Sequence, residues 1–153
     1  MNYLRWLTIK KIFIANGPNL NFLGIRELEK YGSTTYSELI HTIERKASSL
    51  NLEVELFQSN NEGEIVDYIQ MISQFNDVWL IFNPGAFTHT SVSIRDAISI
   101  FSQNNKIVEV HISDINKRED FRKINLIKEF SKRSIIGQGV DGYLKALEYI
   151  DGE

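Results

Sequence analysis

Cysteine is absent from the 153 residues, and proline occurs only twice. Without a thiol there is no disulfide, no thiolate nucleophile and no cysteine-ligated metal. The lack also fits a reducing, cytoplasmic setting. Excess positive charge is missing as well: 17 Lys and Arg against 20 Asp and Glu leave a net charge of −3. With no Lys/Arg-rich block, the chain has no electrostatic footprint for nucleic acid. No apolar run approaches the roughly 20 residues that span a bilayer. The opening "MNYLRWLTIKK" lacks the apolar core and small-residue cleavage site of a signal peptide, and residues 1–10 are expected to form an N-terminal extension or an added edge strand. Neither repeats nor low-complexity linkers occur. A hydrophobic content of 42% and a charged content of 24% suit one ordinary globular domain over residues 1–153.

What is present is a series of short apolar runs separated by amphipathic stretches. "KIFIA" (Lys11–Ala15), "LEVELFQ" (Leu52–Gln58), "DVWLIFNPG", "KIVEVHI" and "RSIIGQG" read as strands. Leu39, Ile40, Ile43, Ala47 and Leu50 recur at helical spacing, with Ser33 or Thr34 as the expected cap. Further helices are expected along the Ile65, Ile69 and Ile72 stripe, from Ser91 to Phe101, and around Val140–Ile150. Strand and helix thus alternate about five times, which predicts an α/β fold with a parallel sheet covered by helices on both faces. In such sheets ligands bind beyond the carboxyl ends of the strands. The segments to inspect are therefore Asn16–Tyr31, Gln58–Glu62, Asn83–Thr90 and His111–Arg122.

The first segment, within "NGPNLNFLGIRELEKYG", is far longer than the usual connection of about 2–6 residues. It carries Asn19, Arg26 and Tyr31, with glycines that permit a hinged lid. A phenol becomes a useful base when a nearby cation favours its anion, and Arg26 would serve Tyr31 in this way if the loop folds back over the site. In "FNPGAFTHTSVSIRD", Asn83, His89 and the first N–H groups of a helix converge on a strand end and suit an anionic or polyhydroxyl ligand. Ser91 beside His89 hints at a hydrolase pair, but no G-x-S-x-G elbow accompanies it. In "EVHISD", Glu109 and His111 stand two apart on a strand and share a face. A carboxylate there can orient an acid/base imidazole. Arg118 and Arg122, in "KREDFRK", would share a face if that stretch were helical, and either could clamp an oxygen-rich ligand. His41 reads as a surface or core residue. The His, Asp and Glu residues show no metal-ligand spacing, so no metal is expected.

Taken together, "NGPNLNFLGIRELEKYG", "QSNNEGEIVDYI", "FNPGAFTHTSVSIRDAI", "EVHISDINKREDFR" and "GQGVDGYLKAL" resemble, in order and spacing, the type II 3-dehydroquinate dehydratases (type II dehydroquinases) from Ile12 to Leu147. The resemblance implies a flavodoxin-like, doubly wound, five-stranded parallel sheet. It implies a lyase without metal or cofactor that dehydrates 3-dehydroquinate to 3-dehydroshikimate in the shikimate pathway, assembled as a homododecamer of four trimers. Tyr31 matches the base, acting as tyrosinate, and Arg26 the lid arginine that favours this anion. Asn19 matches the residue that holds a water on the enolate. His111, oriented by Glu109, matches the acid that protonates the departing hydroxyl. Asn83 and the backbone N–H groups of Ile112 and Ser113 match the carboxylate site, while His89 and Arg122 match the groups on the ring hydroxyls. Asp96 matches a residue lent by a neighbouring subunit. Leu28 stands where the family's lid has proline, so a less preorganised lid is expected, and "INLIKEFSKRSII" lacks the usual Ser-rich character.

The competing expectation is a non-catalytic flavodoxin-like module. A flavin-phosphate binder calls for a Ser/Thr/Gly-rich loop after the first strand, and a phosphoacceptor receiver for an acidic cluster there. "NGPNLN" supplies neither.

Overall fold

The computed structural model describes residues 9–25 and 27–153. Its regular elements are β1 (Lys11–Asn16), α1 (Leu28–Tyr31), α2 (Tyr36–Ser49), β2 (Glu53–Gln58), α3 (Glu62–Ile72), β3 (Trp79–Asn83), α4 (Val92–Phe101), β4 (Lys106–His111), β5 (Arg133–Ile136) and α5 (Asp141–Gly152). The strands form one parallel sheet in the order β2-β1-β3-β4-β5. The predicted five-stranded α/β architecture is therefore observed. The expected extension falls largely on residues 1–8, outside the described residues.

Why the sheet is covered on both sides follows from the two-residue period of its central strands. Ile12, Ile14, Trp79, Ile81, Val108 and Val110 pack with α2 and α5 on one face. Phe13, Ala15, Leu80, Phe82 and Ile107 pack with α3 and α4 on the other. Burying each such aliphatic side chain stabilises the fold by roughly 1.5–3 kcal/mol. β2, at the edge, alternates exposed and half-buried residues from Glu53 to Leu56, the one-sided pattern expected for it, and stays half-buried through Phe57 and Gln58.

Local chemistry sets the helix starts. α2 is capped by Thr35 rather than Ser33 or Thr34. Glu38 stands three residues beyond Thr35, and the two close a capping box: the Glu38 N–H donates to Thr35 Oγ1 at 3.2 Å, and the Thr35 N–H donates to Glu38 Oε2 at 2.7 Å. Such a cap contributes about 1 kcal/mol. Ser91 caps α4, its Oγ accepting from the Ile94 N–H at 2.9 Å, so it precedes the helix instead of starting it. His41 lies on the outer face of α2 with its side chain 71% exposed. None of the helices among the described residues is long and apolar enough to cross a membrane.

The sheet reverses its winding beside β1: the chain adds β2 on one side, then returns to place β3 on the other. This switch point leaves a crevice at the carboxyl ends of β1 and β3. Asn16 and Asn83, register partners across those strands, end there. The loops beyond them press together, with the Gly17 N–H donating to the Asn83 carbonyl at 2.7 Å. A Cβ on Gly17 would collide with the Pro84 carbonyl, so only glycine fits that approach.

Candidate active site

A cavity of about 190 Å³ opens at this switch point. Its floor comes from Asn83 at the end of β3 and His111 at the end of β4, followed by Ile112 and Ser113. Asn19 enters from the loop after β1, its backbone in the left-handed region at φ 67°, and its N–H donates to Asn60 Oδ1 at 2.8 Å. α1 brings Tyr31 to its wall, with His89, Arg118 and Arg122 also in the lining.

The Tyr31 hydroxyl accepts a hydrogen bond from Arg118 Nη1 at 2.8 Å, and the guanidinium carbon lies 5.7 Å from the centre of the tyrosine ring. The same nitrogen donates to Ser113 Oγ at 3.3 Å. The contact sets a positive charge and a directed donor against the phenolic oxygen. Arg118 reaches this position from the extended residue between two short 3-10 turns, Ile115–Lys117 and Asp120–Lys123. The stretch is thus not one helix, and Arg118 and Arg122 reach the cavity without sharing a helical face. Arg122 Nε donates to Glu119 Oε2 at 2.8 Å.

His111 and Glu109 meet as their spacing predicts. His111 Nε2 lies 2.5 Å from Glu109 Oε1. The same carboxylate oxygen accepts from Asn125 Nδ2 at 2.5 Å, and Oε2 accepts from Ser134 Oγ at 2.7 Å. Burial alone would push the Glu109 carboxyl up. The hydrogen bond and charge of His111, with the donors Ser134 and Asn125, outweigh burial and hold it below the usual carboxylate value. The ionised carboxylate fixes Nε2 as a protonated donor and leaves Nδ1 as the ring nitrogen for chemistry.

His89 is oriented from the opposite end. Its Nδ1 lies 2.6 Å from the Ile124 carbonyl, which can only accept, so Nδ1 carries the proton and Nε2 is an acceptor. Burial lowers the His89 pKa below its usual value, opposed by the Ile124 hydrogen bond and reinforced by His111, Arg122 and Arg118. The cavity wall sets Lys30, Arg118 and Arg122 against Glu27 and Glu119, with Lys30 paired to Glu27 at 2.6 Å and Arg122 to Glu119 at 2.8 Å, and the remaining cation and the polar groups match an anionic, hydroxyl-rich ligand. No group of three or more His, Asp or Glu among the described residues could hold a metal ion.

The model of the class II dehydroquinase family matches residues 10–151. The chain belongs to the class II dehydroquinases. It is 49% identical over 139 residues to the 3-dehydroquinate dehydratase of Caldicellulosiruptor saccharolyticus, covering 91% of this chain and 94% of that protein. It is also 49% identical over 140 residues to the 3-dehydroquinate dehydratase of Endomicrobium trichonymphae, covering 91% and 95%. The crystal structure of type II dehydroquinase from Butyrivibrio crossotus superposes with a TM-score of 0.89 at 44% identity, over 94% of this chain and 98% of that one.

Within this dehydroquinase fold, Asn19, Tyr31, Asn83 and His89 line the same cavity as His111, Ile112, Ser113 and Arg122. Glu109 sits behind His111, fully buried. Arg26 lies outside the described residues. Asp96 is not brought into the cavity of its own chain: it sits on α4 with its side chain 68% exposed, 3.7 Å from Arg95 Nη1. Sequence reasoning left out the Arg118–Tyr31 contact, although it marked Arg118 as a possible clamp. It also missed Asn125, in the loop after the 3-10 turn Asp120–Lys123, and Ser134, which lies within β5 as the register partner of Glu109.

Proposed function

We propose that this chain is a 3-dehydroquinate dehydratase, a hydro-lyase converting 3-dehydroquinate to 3-dehydroshikimate in the shikimate pathway leading to aromatic amino acids. The observation that carries the reading is a phenol in contact with a guanidinium and a carboxylate-held imidazole, lining one cavity in a class II dehydroquinase fold. Removing a proton alpha to a ketone and expelling a beta hydroxyl needs a base, enolate stabilisation and an acid.

In the proposed mechanism Tyr31, as its anion, takes the alpha proton, and the C–H electron pair moves into the enolate. Arg118 stabilises the tyrosinate, and Arg26 is assigned the same task from the lid. Asn19 holds a water against the enolate oxygen. His111, oriented by Glu109, delivers a proton to the beta hydroxyl. The C–O bond breaks, water leaves and the conjugated enone forms. Asn83 and the N–H groups of Ile112 and Ser113 hold the substrate carboxylate; His89 Nε2 and Arg122 hold ring hydroxyls. The lining polarity described above supports these assignments. No metal or cofactor has a role in this scheme.

The proposal extends to a cytoplasmic homododecamer of four trimers, in which the exposed Asp96 completes a neighbour's site, as the family resemblance implies. Leu28 at the lid's proline position leaves the lid less preorganised, so closure costs more.

The test is a direct assay on 3-dehydroquinate, following the enone by absorbance, with and without a chelator. Turnover indifferent to the chelator is expected. Absence of turnover would favour a non-catalytic ligand-binding module, and chelator-sensitive turnover would contradict the metal-free scheme.

A further inference from the structure

Beneath the cavity, Asn83 is tied into a chain of neutral hydrogen-bonding groups whose other members the proposed chemistry does not use. Asn83 Nδ2 donates to the Tyr143 hydroxyl at 2.9 Å. That hydroxyl donates in turn to Asn16 Oδ1 at 2.5 Å. Asn16 Nδ2 continues to the Tyr36 hydroxyl at 3.4 Å. At the other end, Asn83 Oδ1 accepts from the Gly85 N–H at 3.2 Å. Tyr143 is fully buried on α5, and Asn16 and Asn83 are register partners on β1 and β3.

The directions in this chain are determined, not free. A backbone N–H can only donate, so the Gly85 bond identifies the acceptor atom of the Asn83 amide as oxygen. The Tyr143 oxygen must then accept from Asn83 nitrogen, and its single proton must go to Asn16. Burial drives the Tyr143 pKa up, which keeps this hydroxyl a protonated donor. One Nδ2 hydrogen of Asn83 is thereby committed to Tyr143, and its second is the donor left on a side chain that lines the cavity.

We propose that Tyr143, held by Asn16, is a positioning residue that locks the Asn83 amide so that the site offers an anion an N–H and not a carbonyl oxygen. The inference rests on the dehydratase reading, because it gives Asn83 the substrate's carboxylate. The Gly85 N–H, at the start of a 3-10 turn over Gly85–His89, is the longer and less buried of the two anchors. Without the Tyr143 hydroxyl the amide keeps that bond alone and turns more readily. It would then place an acceptor where the carboxylate needs a donor.

The experiment measures binding of quinate, an unreactive carboxylate counterpart of the substrate, and of quinamide, its neutral carboxamide, to wild type and to Tyr143→Phe. Wild type is expected to prefer quinate. In Tyr143→Phe that preference should fall by roughly 10-fold, with the loss borne by quinate, since a turned amide can accept from a carboxamide. Equal weakening of both ligands, or an unchanged ratio, overturns the positioning role. If Tyr143→Phe fails to fold, Asn16→Ala, which frees the same hydroxyl, is expected to lower the ratio by a smaller factor. An unchanged ratio there overturns the proposal equally. A wild type that neither turns over 3-dehydroquinate nor binds quinate overturns the dehydratase reading itself, a result distinguishable from a positioning failure in an active enzyme.

Discussion

Arg118 and Tyr31, 87 residues apart in the chain, are joined by a 2.8 Å hydrogen bond from the guanidinium to the phenolic oxygen. The contact makes a specific demand on turnover. Arg118→Ala, which removes a donor and a positive charge from the phenolic oxygen, should lower kcat about 100-fold while KM changes little. Arg118→Lys, which keeps a charge but not the planar fork, should recover part of the loss. A rise in KM with kcat unchanged would leave the arginine a ligand clamp only.

Tyr31→Phe should abolish turnover while leaving the binding of an unreactive analogue nearly unchanged. Near-normal turnover would end the assignment of Tyr31 as the base.

Asn125 connects the active site to a turn. Its Nδ2 holds Glu109, while its Oδ1 accepts from the N–H groups of Ile127 and Lys128, both at 3.1 Å. Asn125→Asp preserves the turn-capping oxygen but sets a second carboxylate against Glu109. It should therefore lose more activity than Asn125→Ala, despite the greater loss of capping, about 1 kcal/mol, in the alanine variant. Activity and thermal melting of the two variants, measured side by side, separate these effects.

Glu109 predicts acid sensitivity. Its folded pKa lies below the ordinary 4.5, so its contribution to stability is present above that value and is lost as pH falls through the folded pKa. Urea unfolding from neutral pH down to pH ~3 should show a steeper decline for wild type than for Glu109→Gln. Parallel curves would show that the carboxylate's ionisation contributes nothing.

His89 predicts a binding limb in the acid range. Its pKa is depressed from 6.5, so Nε2 remains an acceptor through neutral pH and becomes a donor only as pH falls below that value. KM for the substrate should rise on that side, and the rise should disappear in His89→Asn. A nuclear magnetic resonance titration placing His89 above 6.5 would contradict the half-buried, neutral imidazole.

Much of this protein was legible in the linear chain because two of its regularities are local. Apolar runs such as Lys11–Ala15, alternating with helical stripes such as Ile65, Ile69 and Ile72, specify strand and helix by period alone, and parallel strands then force the strand ends to one edge. Glu109 and His111 could be paired in advance because a strand places residues two apart on one face. The helix starts are less legible: Ser33, Thr34 and Thr35 are all capping residue types, and the reciprocal bonds with Glu38 single out Thr35. Only the tertiary structure decided which groups from different elements meet. Arg118 on Tyr31, Asn125 and Ser134 on Glu109, and Tyr143 between Asn16 and Asn83 are contacts across 16 to 127 residues of sequence. Their partners are chosen by how helices and loops pack against the sheet, and no periodicity along the chain encodes that choice.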